Sequence, residues 1–136
     1  QHPEKVIPNW TKRALNDESL LMYGDGKYKS MWLHLEDATN ALVFLLEHGN
    51  LGEIYNIAGE EELENLDLAK MILKILDKPE DKITFVPDEK IRPFHDRRYS
   101  IDPSKLKSLG WLPKYNLNSG IKEVVMWYKE HQDWLL

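Results

Sequence analysis

Apolar residues at helical spacing alternate along this chain with short β-prone runs, and that alternation narrows the available folds more than any other feature. Pro3 and Glu4 suit a helix start, and Val6, Ile7, Trp10, Ala14 and Leu15 follow at helical spacing until Asn16-Asp17 breaks the pattern. Leu20 to Tyr23 reads as a strand ending in the turn Gly24-Asp25-Gly26, and Met31 to Leu35 as a second strand bounded by Glu36-Asp37. That acidic pair opens a helix with the apolar face Ala38, Ala41, Leu42, Leu45 and Leu46, closed by Gly49. Glu53 to Ala58 is expected as a strand. Asn65 or Asp67 should cap a helix carrying Leu68, Met71, Ile72, Ile75 and Leu76, which ends before Pro79. Ile83 to Val86 reads as a strand, and Asp102-Pro103 as the start of a short helix closed by Gly110. Asn118 or Ser119 should open the last helix, with Ile121, Val124, Val125, Tyr128 and Trp134. The expected class is α/β, or mixed α+β, in a single domain over residues 1–136.

With 42% of its 136 residues hydrophobic, the chain can bury one real core. A formal net charge of -5 argues against non-specific binding to nucleic acid or to anionic membranes. The chain has no cysteine, so it has no disulfide, no thiolate nucleophile and no cysteine metal site, which fits a cytoplasmic location. Its longest apolar run, Ala41 to Leu46, is too short to span a bilayer. No basic-then-apolar leader marks secretion. The chain opens at Gln1, not at methionine, and so reads as a processed product or a piece of something longer.

One stretch concentrates positive charge in this acidic chain: Arg92-Pro93-Phe94-His95-Asp96-Arg97-Arg98-Tyr99. Guanidinium forks fit phosphate oxygens in pairs, and flanking rings can cover a sugar or a base, so the cluster suits a small anion site. The alternative is a solvated loop whose arginines pair with the many carboxylates. The glycines never form Gly-x-Gly-x-x-Gly or a phosphate loop, so nothing here is expected to cradle a dinucleotide pyrophosphate. Tyr23 and Lys27 match Tyr-x-x-x-Lys, but Gly24 and Gly26 between them put the match on a turn, not on the helix face such sites use. His34 beside Glu36 and Asp37 reads as an ordinary surface histidine and not a metal ligand, and Glu60-Glu61-Glu62 as a solvated loop. No nucleophile elbow and no distinctive carboxylate pair is present, so the residues do not describe a complete enzyme.

Read in order, the motifs resemble the C-terminal, substrate-binding part of dTDP-glucose 4,6-dehydratase, an extended short-chain dehydrogenase. They are Pro3-Glu4-Lys5-Val6-Ile7-Pro8, Tyr23-Gly24-Asp25-Gly26 and Trp32-Leu33-His34-Leu35-Glu36-Asp37, then Gly52-Glu53-Ile54-Tyr55-Asn56-Ile57, His95-Asp96-Arg97-Arg98-Tyr99 and Leu109-Gly110-Trp111. Trp127-Tyr128 and Trp134 also look like the family's tail. The resemblance implies a nucleotide-sugar-binding lobe without the NAD-binding Rossmann half and without the catalytic residues, which lie upstream of the match in the family. In the complete enzyme a hydride passes from sugar C4 to NAD, water leaves across C5 and C6, and the hydride returns to C6. The product is a 4-keto-6-deoxy sugar nucleotide.

Carried over by motif, Lys5, Val6, Ile7 and Pro8 would line the diphosphate and nucleoside of a dTDP-hexose. Leu21, Met22 and Tyr23 would meet the base. Asn56 would offer an amide, Arg92 and His95 would contact phosphate and sugar, and Tyr99 would lie close by. Three departures stand out. Ser30 and Met31 occupy the positions of a family Arg-Asp pair whose arginine grips the diphosphate, a loss of about 1.5–3 kcal/mol, or roughly ten- to a hundredfold in affinity. Phe94 replaces a glycine, and Leu21 a proline usual in dTDP-specific members. The resemblance implies no catalytic residue, cofactor or metal in this chain, with NAD held by the complete enzyme, and no activity in isolation. It also implies that the missing Rossmann half, or self-association, covers an apolar sheet edge and helix face. The open alternatives are a non-catalytic relative used for protein contacts and part of a UDP-sugar epimerase or decarboxylase.

Overall fold

The computed structural model describes residues 2–87 and 96–135. Three amphipathic helices carry the core: α1 (Val6–Leu15), α3 (Asn65–Ile75) and α5 (Leu117–Glu130), which pack on one another. Along the chain, α1 is followed by β1 (Leu20–Tyr23), β2 (Lys29–Met31), α2 (Leu35–His48) and β3 (Glu62–Glu64). After α3 come β4 (Ile83–Val86), β5 (Arg98–Tyr99) and α4 (Ser104–Ser108), with short 3-10 turns at Glu80–Lys82 and Gln132–Leu135.

Helical spacing explains the core. Ile7, Trp10 and Ala14 of α1 cluster with Leu68, Ile72 and Leu73 of α3 and with Ile121 and Val125 of α5, and β1 adds Leu20 and Met22. Strand β1 alternates, with Leu20 and Met22 buried and Leu21 and Tyr23 half-buried on the other face. It pairs in parallel with β4, from Leu20 opposite Ile83 to Tyr23 opposite Val86. Strand β2 is the middle of a second, three-stranded sheet, antiparallel to β3 and parallel to β5. The class is mixed α/β, as the alternation of elements implies.

Several boundaries differ from the sequence reading. The second strand is Lys29–Met31, because its ladder with β3 ends where Met31 meets Glu62, and Trp32 to His34 continue outside any strand. Residues 53–58 form no ladder among the described residues, although over 54–57 exposed and covered residues alternate as on a strand. Tyr55 and Ile57 turn to a small second core with Ala41, Leu106 and Trp111. Helix α1 begins at Val6 with Lys5 as its N-cap, and α3 follows Glu64 directly. Asn116 caps α5 by accepting from the Ser119 N–H at 2.9 Å, and that helix ends at Glu130, which leaves Trp134 in the 3-10 turn beyond it. On α2, Leu42 and Leu46 are 58% and 87% exposed, while Ala41, Phe44 and Leu45 belong to the second core. Asp37 ties that helix down: its buried carboxylate accepts from the backbone N–H of Lys114 at 2.8 Å and of Tyr115 at 3.1 Å.

Candidate functional site

Helix α1 commits Ile7, Trp10 and Ala14 to the core, and its flanking positions Val6, Asn9 and Arg13 border a cleft of about 320 Å³. The outward residues of β1, Leu21 and Tyr23, line the same cleft, as do Met22, Ser30 of β2 and Tyr99 of β5. Parallel pairing of β2 with β5 sets Ser30 opposite Tyr99, so the second sheet brings a polar and an aromatic residue to one wall. Tyr99 is half exposed, and its hydroxyl pKa is raised, first by desolvation and then by the Asp96 carboxylate. Trp32 also lines the cleft, and its buried indole Nε1 has no hydrogen-bond partner among the described residues.

Of the residues singled out by motif, Val6, Leu21, Met22, Tyr23 and Tyr99 come together here. Lys5 is exposed at the entrance to α1. Ile7 and Pro8 are buried, with Ile7 in the main core. Asn56 does not line the cleft; its amide donates to the Asp102 carbonyl at 3.1 Å. Arg92 and His95 lie outside the described residues, as does Phe94. The motif reading passes over Asn9 and Arg13. The available signal is their spacing, since residues four apart share one face of a helix.

The remaining arginines of the basic cluster follow the alternative reading. Arg97 forks onto both carboxylate oxygens of Asp25 at 2.9 Å and lies over the Tyr28 ring, 4.7 Å from its centre. Arg98 makes the same kind of fork with Glu62, whose two oxygens lie 3.0 Å from Nε. These partners hold the carboxyl pKa of Asp25 and of Glu62 down to about 2 each. The acidic run is accordingly more than a solvated loop, since Glu62 opens β3 and Glu60 pairs with Lys107. Lys29 pairs with Glu64 at 3.2 Å, leaving Ser30 as the β2 residue that borders the cleft.

A second groove, of about 470 Å³, runs between the start of α2 and α5. His34 sits at one end, its Nδ1 accepting from the Glu36 N–H at 3.4 Å and its ring stacked on Tyr115 at 3.8 Å. That stacking leaves its side chain only 8% exposed, so His34 is not the surface histidine expected from its polar neighbours. The Tyr115 hydroxyl donates to Glu36 at 3.0 Å, and desolvation plus the Glu36 and Glu123 carboxylates push its pKa up to about 12. Trp127 and Trp134 form the apolar end. No group of His, Asp and Glu among the described residues is arranged to hold a metal ion. Nor does any described strand run through a glycine turn into a helix: β1 leads by Gly24 and Gly26 into β2, and β3 enters α3 without glycine. The described residues thus hold no glycine turn of the kind that cradles a dinucleotide pyrophosphate.

Comparison with known proteins places this arrangement. The family model described as GDP-mannose 4,6 dehydratase matches residues 1–124. The chain belongs to that family. It is 44% identical over 128 residues to the low-salt glycan biosynthesis protein Agl12 of Haloferax volcanii, a match covering 94% of this chain and 40% of the relative. It is 43% identical over 143 residues to a dTDP-glucose 4,6-dehydratase of Xanthomonas campestris pv. campestris, covering 98% of this chain and 40% of the relative. Among solved structures, the dTDP-glucose 4,6-dehydratase of Bacillus anthracis in complex with NAD superposes with a TM-score of 0.91 at 38% identity, over 98% of this chain and 42% of that one. The UDP-glucuronic acid 4-epimerase of Bacillus cereus, in complex with UDP-glucuronic acid and NAD, gives 0.86 at 26% identity, over 96% and 41%. The chain thus spans 40% of the length of the two relatives named, and it corresponds to the C-terminal portion of the extended short-chain dehydrogenase architecture.

Proposed function

We propose that this chain is the nucleotide-sugar-binding lobe of a dTDP-glucose 4,6-dehydratase-like lyase. Its work is to hold a nucleoside diphosphate hexose against an NAD-bearing half that lies elsewhere. The observation that carries the reading is the shared cleft: Val6, Leu21, Met22, Tyr23 and Tyr99, singled out by motif, line one opening. In this reading Tyr23 and Leu21 give the base an apolar surface with a polar tip. The start of α1, which has no side-chain cap, and Lys5 offer donors and positive charge to the diphosphate, and Arg92 and His95 complete the grip. Asn56 offers its amide once its bond to Asp102 is exchanged. The chain supplies orientation and no acid, base or hydride acceptor, so alone it turns over no substrate. The absence of cysteine fits a cytoplasmic setting.

The test is a calorimetric titration of the chain with dTDP, UDP and GDP in parallel. Saturable binding that favours dTDP supports the reading, and absence of binding by a folded sample overturns it. A preference for UDP would favour the epimerase alternative. That alternative draws on the structural likeness to the UDP-glucuronic acid 4-epimerase and on Leu21.

The reading extends to a partner. Leu42 and Leu46 of α2 are exposed, as are Leu51 and Ile54, and residues 53–58 carry no ladder among the described residues. The missing Rossmann half, or a second copy of this chain, would cover that surface. Sedimentation of the chain alone should show concentration-dependent association that Leu46→Glu weakens; a strictly monomeric profile with no partner present would count against it.

A further inference from the structure

We propose that Arg13 and Asn9 select the base, favouring a carbonyl oxygen at pyrimidine C4 or purine C6 (thymine, uracil, guanine) over the amino group that cytosine and adenine carry at that position. The inference rests on the nucleotide-binding reading above and adds the residues that would discriminate within it. Both side chains border the cleft that also contains Leu21 and Tyr23. Arg13 stands eight residues along α1 from Lys5, about 12 Å at the helical rise, so a nucleoside with its diphosphate near Lys5 has room to turn its base toward Arg13.

The donor chemistry gives the direction of selection. Arg13 is steadied through Nη1, which donates to the Ser19 carbonyl at 3.1 Å and lies 3.4 Å from Glu18 Oε2. A guanidinium has five N–H donors and no acceptor, so the donors on Nε and Nη2 remain for a ligand, and only an acceptor satisfies them. The 4-oxo group of uracil or thymine and the 6-oxo group of guanine are acceptors. The 4-amino group of cytosine and the 6-amino group of adenine would set donor against donor. Asn9 carries both a donor and an acceptor, so it can follow a ring N–H beside the oxygen, and no described residue engages its amide.

UDP and CDP form the decisive pair, because they keep the same diphosphate and ribose and differ at the base edge. Titration of the 136-residue chain should show UDP bound roughly ten- to a hundredfold more tightly than CDP, the span of one charge-assisted hydrogen bond. Arg13→Ala should bring that ratio near one while leaving inorganic pyrophosphate binding unchanged. Arg13→Gln keeps a donor for the Ser19 carbonyl and adds an acceptor, so it should lower or invert the ratio even if the alanine variant folds poorly. Equal binding of UDP and CDP by the unaltered chain, or a ratio that Arg13→Gln leaves intact, overturns the selection while the nucleotide reading stands. Equal weakening of both nucleotides and of pyrophosphate also overturns it, because Arg13 would then act on the phosphates. No nucleotide binding by a folded sample overturns both readings together.

Discussion

Replacing Asp37 by alanine should loosen α2 from the rest of the molecule. The carboxylate is 2% exposed and accepts from two backbone donors, the N–H groups of Lys114 and Tyr115, at 2.8 and 3.1 Å. A hydrogen bond to a charged group contributes about 1.5–3 kcal/mol. The lower figure applies here, because both bonds are only partly buried. Two such bonds give a loss of about 3 kcal/mol. For a chain of this size that lowers Tm by roughly 10 °C. Urea unfolding and differential scanning calorimetry would read the loss directly. Hydrogen exchange would add its location, since amides of α2 should lose protection before those of α3, whose Leu68, Ile72 and Leu73 are wholly buried. Glu36→Ala serves as the control. It removes an exposed bond to the Tyr115 hydroxyl and should cost under about 1 kcal/mol. A loss below about 0.5 kcal/mol for Asp37→Ala, within the range of ordinary surface substitutions, would refute the anchoring role.

Leu68→Ala should cost about 2–5 kcal/mol by urea unfolding, because Leu68 lies in the main core with no exposed surface. Gly59→Ala should destabilise clearly, by more than about 1 kcal/mol, since its new Cβ would stand 2.0 Å from the Trp32 carbonyl oxygen and the backbone would have to move; an unchanged midpoint would refute that close approach. Asp25 and Glu62 have folded pKa values held to about 2, below their ordinary 3.8 and 4.5. Their contribution is present above about pH 4.5 and is lost as pH falls toward 2, so Arg98→Ala should flatten that acid-side decline in an unfolding series. Tyr115 has the opposite sign: its pKa is raised from 10.0 to about 12, so its contribution is present below pH 10 and lost as pH rises through 12, a decline that Tyr115→Phe should remove from an alkaline unfolding series.

The elements written in a strong period are legible from the sequence, and those depending on a partner are not. The helical run from Leu68 to Ile72 specifies both an element and its buried face, whereas Leu20 to Tyr23 is apolar throughout, so it marks a strand and only the fold turns Leu20 and Met22 inward. Residues 53–58 carry the strand-prone Tyr55 and Ile57, yet such composition says nothing of a neighbour to bond with. The face of α2 escapes for a related reason. Leu42 and Leu46 are as apolar as Ala41 and Leu45, and only the position of Leu106 and Trp111 decides which side is covered. In the cleft, β1 could be placed by motif, whereas Asn9 and Arg13 come beside it through the packing of α1. Arg97 and Arg98 could have met phosphate or carboxylate. Asp25 and Glu62 claim them because the second sheet brings distant segments into register.

The order of strand pairing bears on how this lobe is made. β1 waits for β4, beyond both α2 and α3, and β2 is flanked by β5, which comes later still. Pairings of such long sequence separation lose their loop-closure entropy before they gain contacts, so they form slowly relative to the helices. During synthesis the early wall of the cleft would emerge with Leu21 and Tyr23 while its opposite wall, with Tyr99, is still absent. Any ligand of the cleft therefore meets only the finished chain and draws the folding equilibrium toward it by mass action.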